Sequence, residues 1–394
     1  MKILTFSTLF PNTEKPGHGI FVETRLRHLI ASGMVQARVV APIGWFPSKH
    51  PRFGDYARLA KVPKSEVRHG LQVEHPRYPV LPKIGMNVAP LLLAQAAKPA
   101  IARILDEGYD FDLIDAHYFY PDGVAAAMLA RYFNKPLVIT ARGSDITLLP
   151  QYALPRRMIK WAANRADGVI TVCHALRDEV VALGVPEERV TSLRNGVDLQ
   201  LFRPVERSAN PLFTLLTVGH LVPVKAQELT IATLPLLPDV RLVVAGDGPN
   251  RGMLEALARE LGVDARVHFL GAVPQALLRG HYGSADALVL SSSREGWANV
   301  LLESMACGTP VVASRVYGTP EVVAAPEAGV LMDERTPQGV AAAVKRLRAD
   351  YPDRAATRRY AEGFSWDDTT QGQLQLFERI LDRRLLAASK AFAC

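Results

Sequence analysis

Residues 285–314 read ADALVLSSSREGWANVLLESMACGTPVVAS, and the order of residue types in this window decides the fold. The apolar run at 287–290 is short and unbroken, as a strand buried on both faces of a parallel sheet requires. A polar loop, SSSREGWA, follows it. Asn299 then stands where an N-cap belongs, ahead of a helix predicted over 300–307 that Gly308 stops. TPVVAS supplies a second buried strand, so the window runs strand, loop, helix, strand.

The same alternation continues on either side. KILTF, QARVVAP, DLIDA, PLVIT and DGVITV are strand runs in the first half, and FTLLTVG, VRLVVAG and RVHFLG precede the window in the second. Helical stretches lie between them, among them FVETRLRHLIAS before Gly33 and RGMLEALARELG ending on Gly262. A single core seldom grows past about 250–300 residues. The 394 residues therefore read as two Rossmann-like, doubly wound α/β domains, 1–198 and 213–365. The stretch 199–212, which loses apolar periodicity and carries Pro204 and Pro211, reads as their linker. Residues 366–394, with Leu374, Leu376, Phe377, Ile380 and Leu381 at helical spacing, read as a helix that returns to the first domain. Open α/β sheets bind ligands at the carboxyl ends of their strands, so a substrate is expected in the crevice between the two lobes.

Composition narrows the function. Hydrophobic residues make up 48% and charged residues 22% of the chain, enough apolar surface for ordinary cores. Three cysteines, Cys173, Cys307 and Cys394, stand too far apart for a disulfide framework or a zinc site. The N-terminal MKILTFSTLF meets Pro11 before any small-residue cleavage site and reads as a first strand. NVAPLLLAQAAKPAIARIL, 87–105, reads as interrupted by Pro90, Gln95 and Lys98, short of the roughly 20 residues that span a membrane. The net charge of +7 lies wholly in the first 200 residues, which hold 25 Lys/Arg against 18 Asp/Glu. No basic arm or aromatic RNA-binding string accompanies it, so nucleic acid is not the expected partner. LPRRMIKWAANR instead sets Arg156, Arg157, Lys160 and Arg165 beside Trp161, a pattern suited to anionic lipid or to a solvated helix face.

Candidate site residues gather at predicted strand ends. The loop before Asn299, which holds Gly296, and the helix start at Val300 offer free N–H groups to an anion. Glu295 and Glu303, eight residues apart, both border that crevice if Glu295 is on the loop. One suits ribose hydroxyls and the other the reacting group; a dipole-complementing Glu303 and a solvated Glu295 are the plainer alternative. Lys225, after strand 213–218 and Gly219, is placed to neutralise a diphosphate or to stand solvated at a helix start. Gly17 and Gly19 precede a helix, Gly19 directly, where a bare backbone admits phosphate or sugar. His117 follows one strand, and Arg142 and Asp145 follow another, with a backbone-satisfied histidine and a surface ion pair as the competing readings. Asp110 and Asp112 form a nominal Asp-x-Asp at the start of a strand; they read as solvated acids, and no metal is expected.

VGHLVPVKAQELTIATL, VVAGDGPNRGMLEALARELG, VHFLGAV and SREGWANVLLESMACGTPVVAS, in this order, resemble the donor-binding domain of retaining GT-B glycosyltransferases of family four. FPNTEKPGHGIFVETRLRHL, DLIDAHYFYPDGVAA, VITARGSDI and LRNGVDLQLFRP extend the resemblance over nearly the whole chain. The N-terminal segment is similar to transferases of bacterial envelope polysaccharide assembly, including teichuronic-acid-type enzymes. The resemblance implies that Glu295 and Glu303 are the family's paired acids, Glu303 at the nucleotide ribose and Glu295 near the donor sugar. It implies Lys225 on the diphosphate, His117 near the donor sugar, and Arg142 with Asp145 on the acceptor side. His220 departs from the family's usual arginine, exchanging a permanent bidentate donor for a single hydrogen bond. Ala226 replaces the usual glycine.

The activity so implied is transfer of a sugar from a nucleoside diphosphate sugar to a saccharide or lipid-linked hydroxyl, with retention and without metal or other cofactor. A cytoplasmic protein, peripheral on the inner membrane face, is the expected setting. A nucleotide-sugar 2-epimerase of the same architecture would need no acceptor, and a non-catalytic sugar-binding or scaffold relative would bind no nucleotide sugar.

Overall fold

The computed structural model describes residues 1–80, 85–206 and 212–392. The chain forms two compact units, Met1–Arg194 with the chain from Asp367 onward, and Asn195–Trp366.

The first unit is built on an eight-stranded sheet. Its order is Val190–Ser192, Gly168–Thr171, Leu137–Ala141, Leu113–His117, Lys2–Phe6, Gln36–Val40, Leu71–Glu74, Ser65–Arg68. Every pair is parallel except the last. Leu113–His117 and Leu137–Ala141 are buried at every position, because helices cover both faces. Lys2–Phe6 has Gln36–Val40 on one side and Leu113–His117 on the other, so chain order reverses there. Such a switch point opens a crevice at the strands' carboxyl ends. Helix Asp367–Phe392 completes this unit, with Leu376, Phe377 and Ile380 packed among Ile3, Leu113 and Ile170. Gly168 lets the helix come close: a Cβ there would lie 3.0 Å from Ile380 Cδ1.

The second unit holds six parallel strands in the order Val267–Gly271, Val240–Ala245, Phe213–Val218, Ala287–Leu290, Val311–Ser314, Gly329–Met332. Its switch point lies between Phe213–Val218 and Ala287–Leu290, which pair through Leu215 and Leu216. The loops leaving these two strands carry Lys225 and Glu295.

Three expectations are corrected. The apolar stretch around 87–105 is one unbroken helix, Gly85–Asp106, with Pro90 and Pro99 inside it. Pro90 has no N–H for the Met86 carbonyl four residues back, and the Tyr120 hydroxyl donates to that carbonyl instead. By length and composition this is the one helix, among the described residues, that is apolar enough to cross a membrane. In the fold its face of Leu93, Ala94, Ala97, Ile101 and Ile104 is buried. The stretch 199–212 is not all linker, since Phe202 is buried edge-on against Tyr282 and its carbonyl accepts from Arg358. Residues 207–211 of that stretch lie outside the described residues. Asn299 is not a cap, because helix Asn299–Ala306 starts on Asn299 itself after Ala298, and the Asn299 Oδ1 accepts from Asn195 Nδ2 at 3.2 Å.

Candidate functional site

In the second unit, strand Phe213–Val218 runs through Gly219 into the turn Pro223–Lys225. The loop Gly219–Leu221 crosses the segment Gly246–Gly248 so closely that a Cβ on Gly246 would lie 1.9 Å from the Gly219 carbonyl oxygen. Only glycine permits that crossing, which fixes where the turn begins. The loop after Ala287–Leu290 is fastened to the same turn. Ser293 N donates to Val224 O at 2.8 Å, and Ser291 Oγ donates to Ala226 O at 2.7 Å. These bonds bring Lys225 Nζ to 2.6 Å from Glu295 Oε1, although 70 residues separate them in the chain. Lys225 keeps partial exposure, whereas the Glu295 side chain is nearly buried.

Glu303 is turned inward. Tyr282 OH donates to its Oε2 at 2.7 Å and Gln275 Nε2 to its Oε1 at 3.0 Å. Burial holds its carboxyl above the usual range and pushes the Tyr282 phenol well up. The expectation of a carboxylate standing open to a ligand is therefore corrected: both oxygens have a donor in this state, and each retains a further lone pair. Gly296 is buried in the loop, and Asn299 and Val300 are half-buried at the helix start.

In the first unit the sequence-predicted residues form a buried polar cluster rather than a surface pair. His117, Arg142 and Asp145 are all buried. His117 Nδ1 is 2.7 Å from Arg142 Nη2, and its Nε2 is 3.2 Å from Asp115 Oδ2. Burial lowers the His117 ring to about 4, Asp115 opposing and Arg142 adding to the shift. The ring is thus neutral and engaged at both nitrogens. Its carbonyl accepts from Ser7 Oγ at 3.1 Å. Asp145 does not pair with an exposed arginine. It accepts the backbone amides of Phe119, Arg142 and Gly143 at 2.7, 3.1 and 2.7 Å. The Arg142 guanidinium lies over the Phe21 ring, 5.2 Å from its centroid, at the start of the helix that follows Gly19. Gly19 is left-handed at φ 67°, and a Cβ there would sit 2.2 Å from Leu9 O, so the close approach is structural as well as permissive. Asp110 pairs with Lys135 and Asp112 accepts from Lys2 N, so the Asp-x-Asp points to separate partners. Among the described residues no three His, Cys, Asp or Glu side chains cluster as metal ligands.

The same end of the sheet holds a titrating group that sequence reading passed over. Asp122 accepts from the Thr8 amide and from Thr8 Oγ1 at 3.0 Å, and burial raises its carboxyl to about 7. The folded state thus holds this proton more tightly than the unfolded chain, whose aspartate titrates near about 4. Its contribution to stability is present below about pH 4 and is lost as pH rises through about 7. Asp122→Asn keeps an acceptor for the Thr8 amide and offers N–H to the hydroxyl. Urea melts from pH 5 to 8 are expected to show a downward slope in the wild type that this variant flattens; equal slopes would refute the assignment.

The sequence pattern described as Glycosyltransferase Family 4 matches residues 17–201, and that described as Glycosyl transferases group 1 matches residues 200–364. Between them they span both units. The chain belongs to glycosyltransferase family 4. TuaC of Bacillus subtilis, named as a teichuronic acid biosynthesis glycosyltransferase, is 29% identical to it over 364 residues, 88% of this chain and 89% of TuaC. Sucrose-phosphate synthase from Thermosynechococcus elongatus superposes with a TM-score of 0.79 at 22% identity, over 98% of this chain and 99% of that one. Anabaena HepE, solved with UDP and glucose, superposes at 0.72 with 22% identity, over 96% of this chain and 100% of HepE. These likenesses give the fold, which is GT-B. In this family 4 glycosyltransferase the two departures seen in the sequence take a definite form. His220 is exposed, with its carbonyl, not its ring, tied to Gln227 Nε2 at 3.2 Å. Ala226 is left-handed at φ 51°, a conformation that glycine would take without strain.

Sequence reasoning missed Tyr282 and Gln275 as partners of Glu303, and Asp115 as the partner of His117. Asp115 alone had a local signal, since residues two apart on a strand share a face and it precedes His117 by two.

Proposed function

We propose that this glycosyltransferase moves a sugar from a nucleoside diphosphate sugar to a hydroxyl, with retention of configuration and without a metal ion, in the assembly of an envelope or extracellular polysaccharide. The observation that carries this reading is the Lys225–Glu295 pair, 2.6 Å apart at the switch point of the second unit's sheet. As the glycosidic bond lengthens, negative charge grows on the diphosphate, and a fixed ammonium stabilises it most in the transition state. Glu295 orients that ammonium and borders the donor sugar. The amides at Gly296 and Val300 add hydrogen-bond donors beside Asn299, whose own amide is given to Trp297 O at 3.1 Å, while His220 supplies less than an arginine would.

Glu303 keeps its place in this reading through Tyr282, which fixes one oxygen. The other oxygen exchanges the Gln275 amide for a ribose hydroxyl, one neutral donor for another. The leaving phosphate takes the acceptor's proton on the same face, which preserves the anomeric configuration. In the first unit Arg142 and Asp145 serve the acceptor side, while His117 stands near the donor sugar and Gly19 offers its bare backbone to the donor. A nucleoside diphosphate sugar as donor is in keeping with structural neighbours solved with UDP-glucose and with ADP, and TuaC supports an envelope polysaccharide as product.

Peripheral membrane contact belongs to the same proposal. Helix Ala153–Arg165 turns Arg156, Arg157, Lys160 and Arg165 outward, with Tyr152 and Leu154 exposed at its start. Flotation with phosphatidylglycerol vesicles but not phosphatidylcholine vesicles is the expected result; equal recovery with both contradicts it. The function itself is tested by thermal shift with UDP-, GDP- and ADP-sugars, followed by product analysis with lipid extracts and NMR of the new anomeric centre. A product made without any acceptor indicates a 2-epimerase. No binding of any nucleotide sugar indicates a non-catalytic relative.

A further inference from the structure

The C-terminal helix reaches the polar cluster of the first unit through one side chain. Gln373 is buried, and its amide has a charged partner at each end. Arg25 Nε donates to Gln373 Oε1 at 2.8 Å, and Gln373 Nε2 donates to Asp115 Oδ2 at 3.0 Å. The same Asp115 oxygen lies 3.2 Å from His117 Nε2, and His117 Nδ1 lies 2.7 Å from Arg142 Nη2. Arg25, Asp115, His117 and Arg142 are buried with it.

The ends of this chain fix every proton in it. A guanidinium only donates. Arg25 therefore makes Gln373 Oε1 the acceptor and turns the amide N–H toward Asp115. Arg142 likewise makes His117 Nδ1 the acceptor, which leaves the ring's one proton on Nε2, facing Asp115. Both directions therefore end on one atom, Asp115 Oδ2, which accepts from Gln373 and from His117.

We infer that Gln373 is a positioning residue for the acceptor side: by holding Asp115 in place it keeps an acceptor on the Nε2–H that Arg142 leaves on His117, and so keeps the ring seated in that tautomer with its Nδ1 on the Arg142 guanidinium. The amide is required for this, because a glutamate in its place would meet Asp115 without a proton to give, and an apolar residue would leave Arg25 and Asp115 each short of a bond. The bond chain stands on the structure alone, and its consequence for turnover rests on the transferase reading.

The test uses the full-length protein in two arms. Long-range proton–nitrogen NMR of the histidine rings, with His117 assigned by the loss of its signals in His117→Asn, reads the tautomer without substrate. The wild type is expected to show Nε2–H at pH 7, and Gln373→Leu a mixture of tautomers. Steady-state kinetics with the best donor from the thermal-shift screen reads the consequence. Gln373→Leu is expected to lower kcat on the order of tenfold to a hundredfold, as small misplacements of site groups do. The KM for the nucleotide sugar should stay within about twofold of the wild type, since Lys225 and Glu295 are untouched. Should Gln373→Leu not fold, Gln373→Met carries the same comparison with a side chain of similar length.

A wild-type ring protonated on Nδ1 would overturn the inference. So would a variant with wild-type tautomer and turnover, or one whose tautomer changes while kcat does not. A wild type that transfers no sugar from any donor overturns the transferase reading instead, and the NMR arm still decides whether Gln373 keeps the ring in that tautomer.

Discussion

Lys225→Ala is expected to lower sugar transfer by about two to three orders of magnitude, the usual loss when one fixed donor is taken from a developing oxyanion. The main chain of its turn is held independently of the side chain, by Ser293 N on Val224 O and Ser291 Oγ on Ala226 O. Truncation therefore removes the ammonium and leaves the turn in place. It also strips Glu295 of its cation, and the Glu295 side chain is only 10% exposed. A carboxylate so placed costs about 1–3 kcal/mol when its partner goes, so the single variant should lose some stability as well as rate. Adding Glu295→Gln separates the two effects. The double variant is expected to recover the unfolding midpoint and to remain as slow as the single one, because a neutral amide needs no counter-ion yet offers the diphosphate no charge. Wild-type turnover in Lys225→Ala would remove Lys225 from the chemistry altogether.

What the sequence made legible follows from which residues depend on local pattern. The strands were readable because parallel strands buried on both faces have almost no choice but Val, Ile, Leu and Ala, as LIDAH and LVITA show. Lys225 and Glu295 were readable as separate strand-end signals, and the switch-point topology made them neighbours. The orientation of Glu303 was not readable. It depends on a tyrosine on another helix, Gln275–Ser284, and on its burial, and neither leaves a mark around residue 303. His117, Arg142 and Asp145 were placed at the right strand ends, but their joining in one buried cluster was not readable, because charged residues at strand ends are usually solvated and a surface pair of Arg142 with Asp145 was the plainer alternative. Gln373 lies 258 residues from Asp115, beyond any local signal. Asn299 failed as a cap because Asn195 offers its side chain a partner within the same unit.

Asp145→Ala is expected to cost about 3–5 kcal/mol of unfolding free energy, since three buried amide donors lose their acceptor at about 1–3 kcal/mol each and relaxation returns only part. The amides are those of Phe119, Arg142 and Gly143, on two segments that follow neighbouring strands. Gly143 adopts φ 148° and ψ −95°, and its carbonyl accepts from Ile146 N and Thr147 N at 2.9 Å, so the loop's carbonyl side is held by backbone and its amide side by the carboxylate. An acceptor-contacting aspartate would behave differently. In that case Asp145→Asn, equal in size, would keep stability and raise the acceptor KM. With the observed bonds, Asp145→Asn instead turns an N–H toward a backbone N–H, and a loss of about 1–3 kcal/mol is expected from the bond it cannot make. Arg142 shares this loop, so its hold on His117 should loosen in both variants, and transfer should fall even well below their melting points. Urea unfolding of the two variants beside the wild type decides the matter: an Asp145→Asn protein of undiminished stability would show that the carboxylate faces substrate rather than its own backbone.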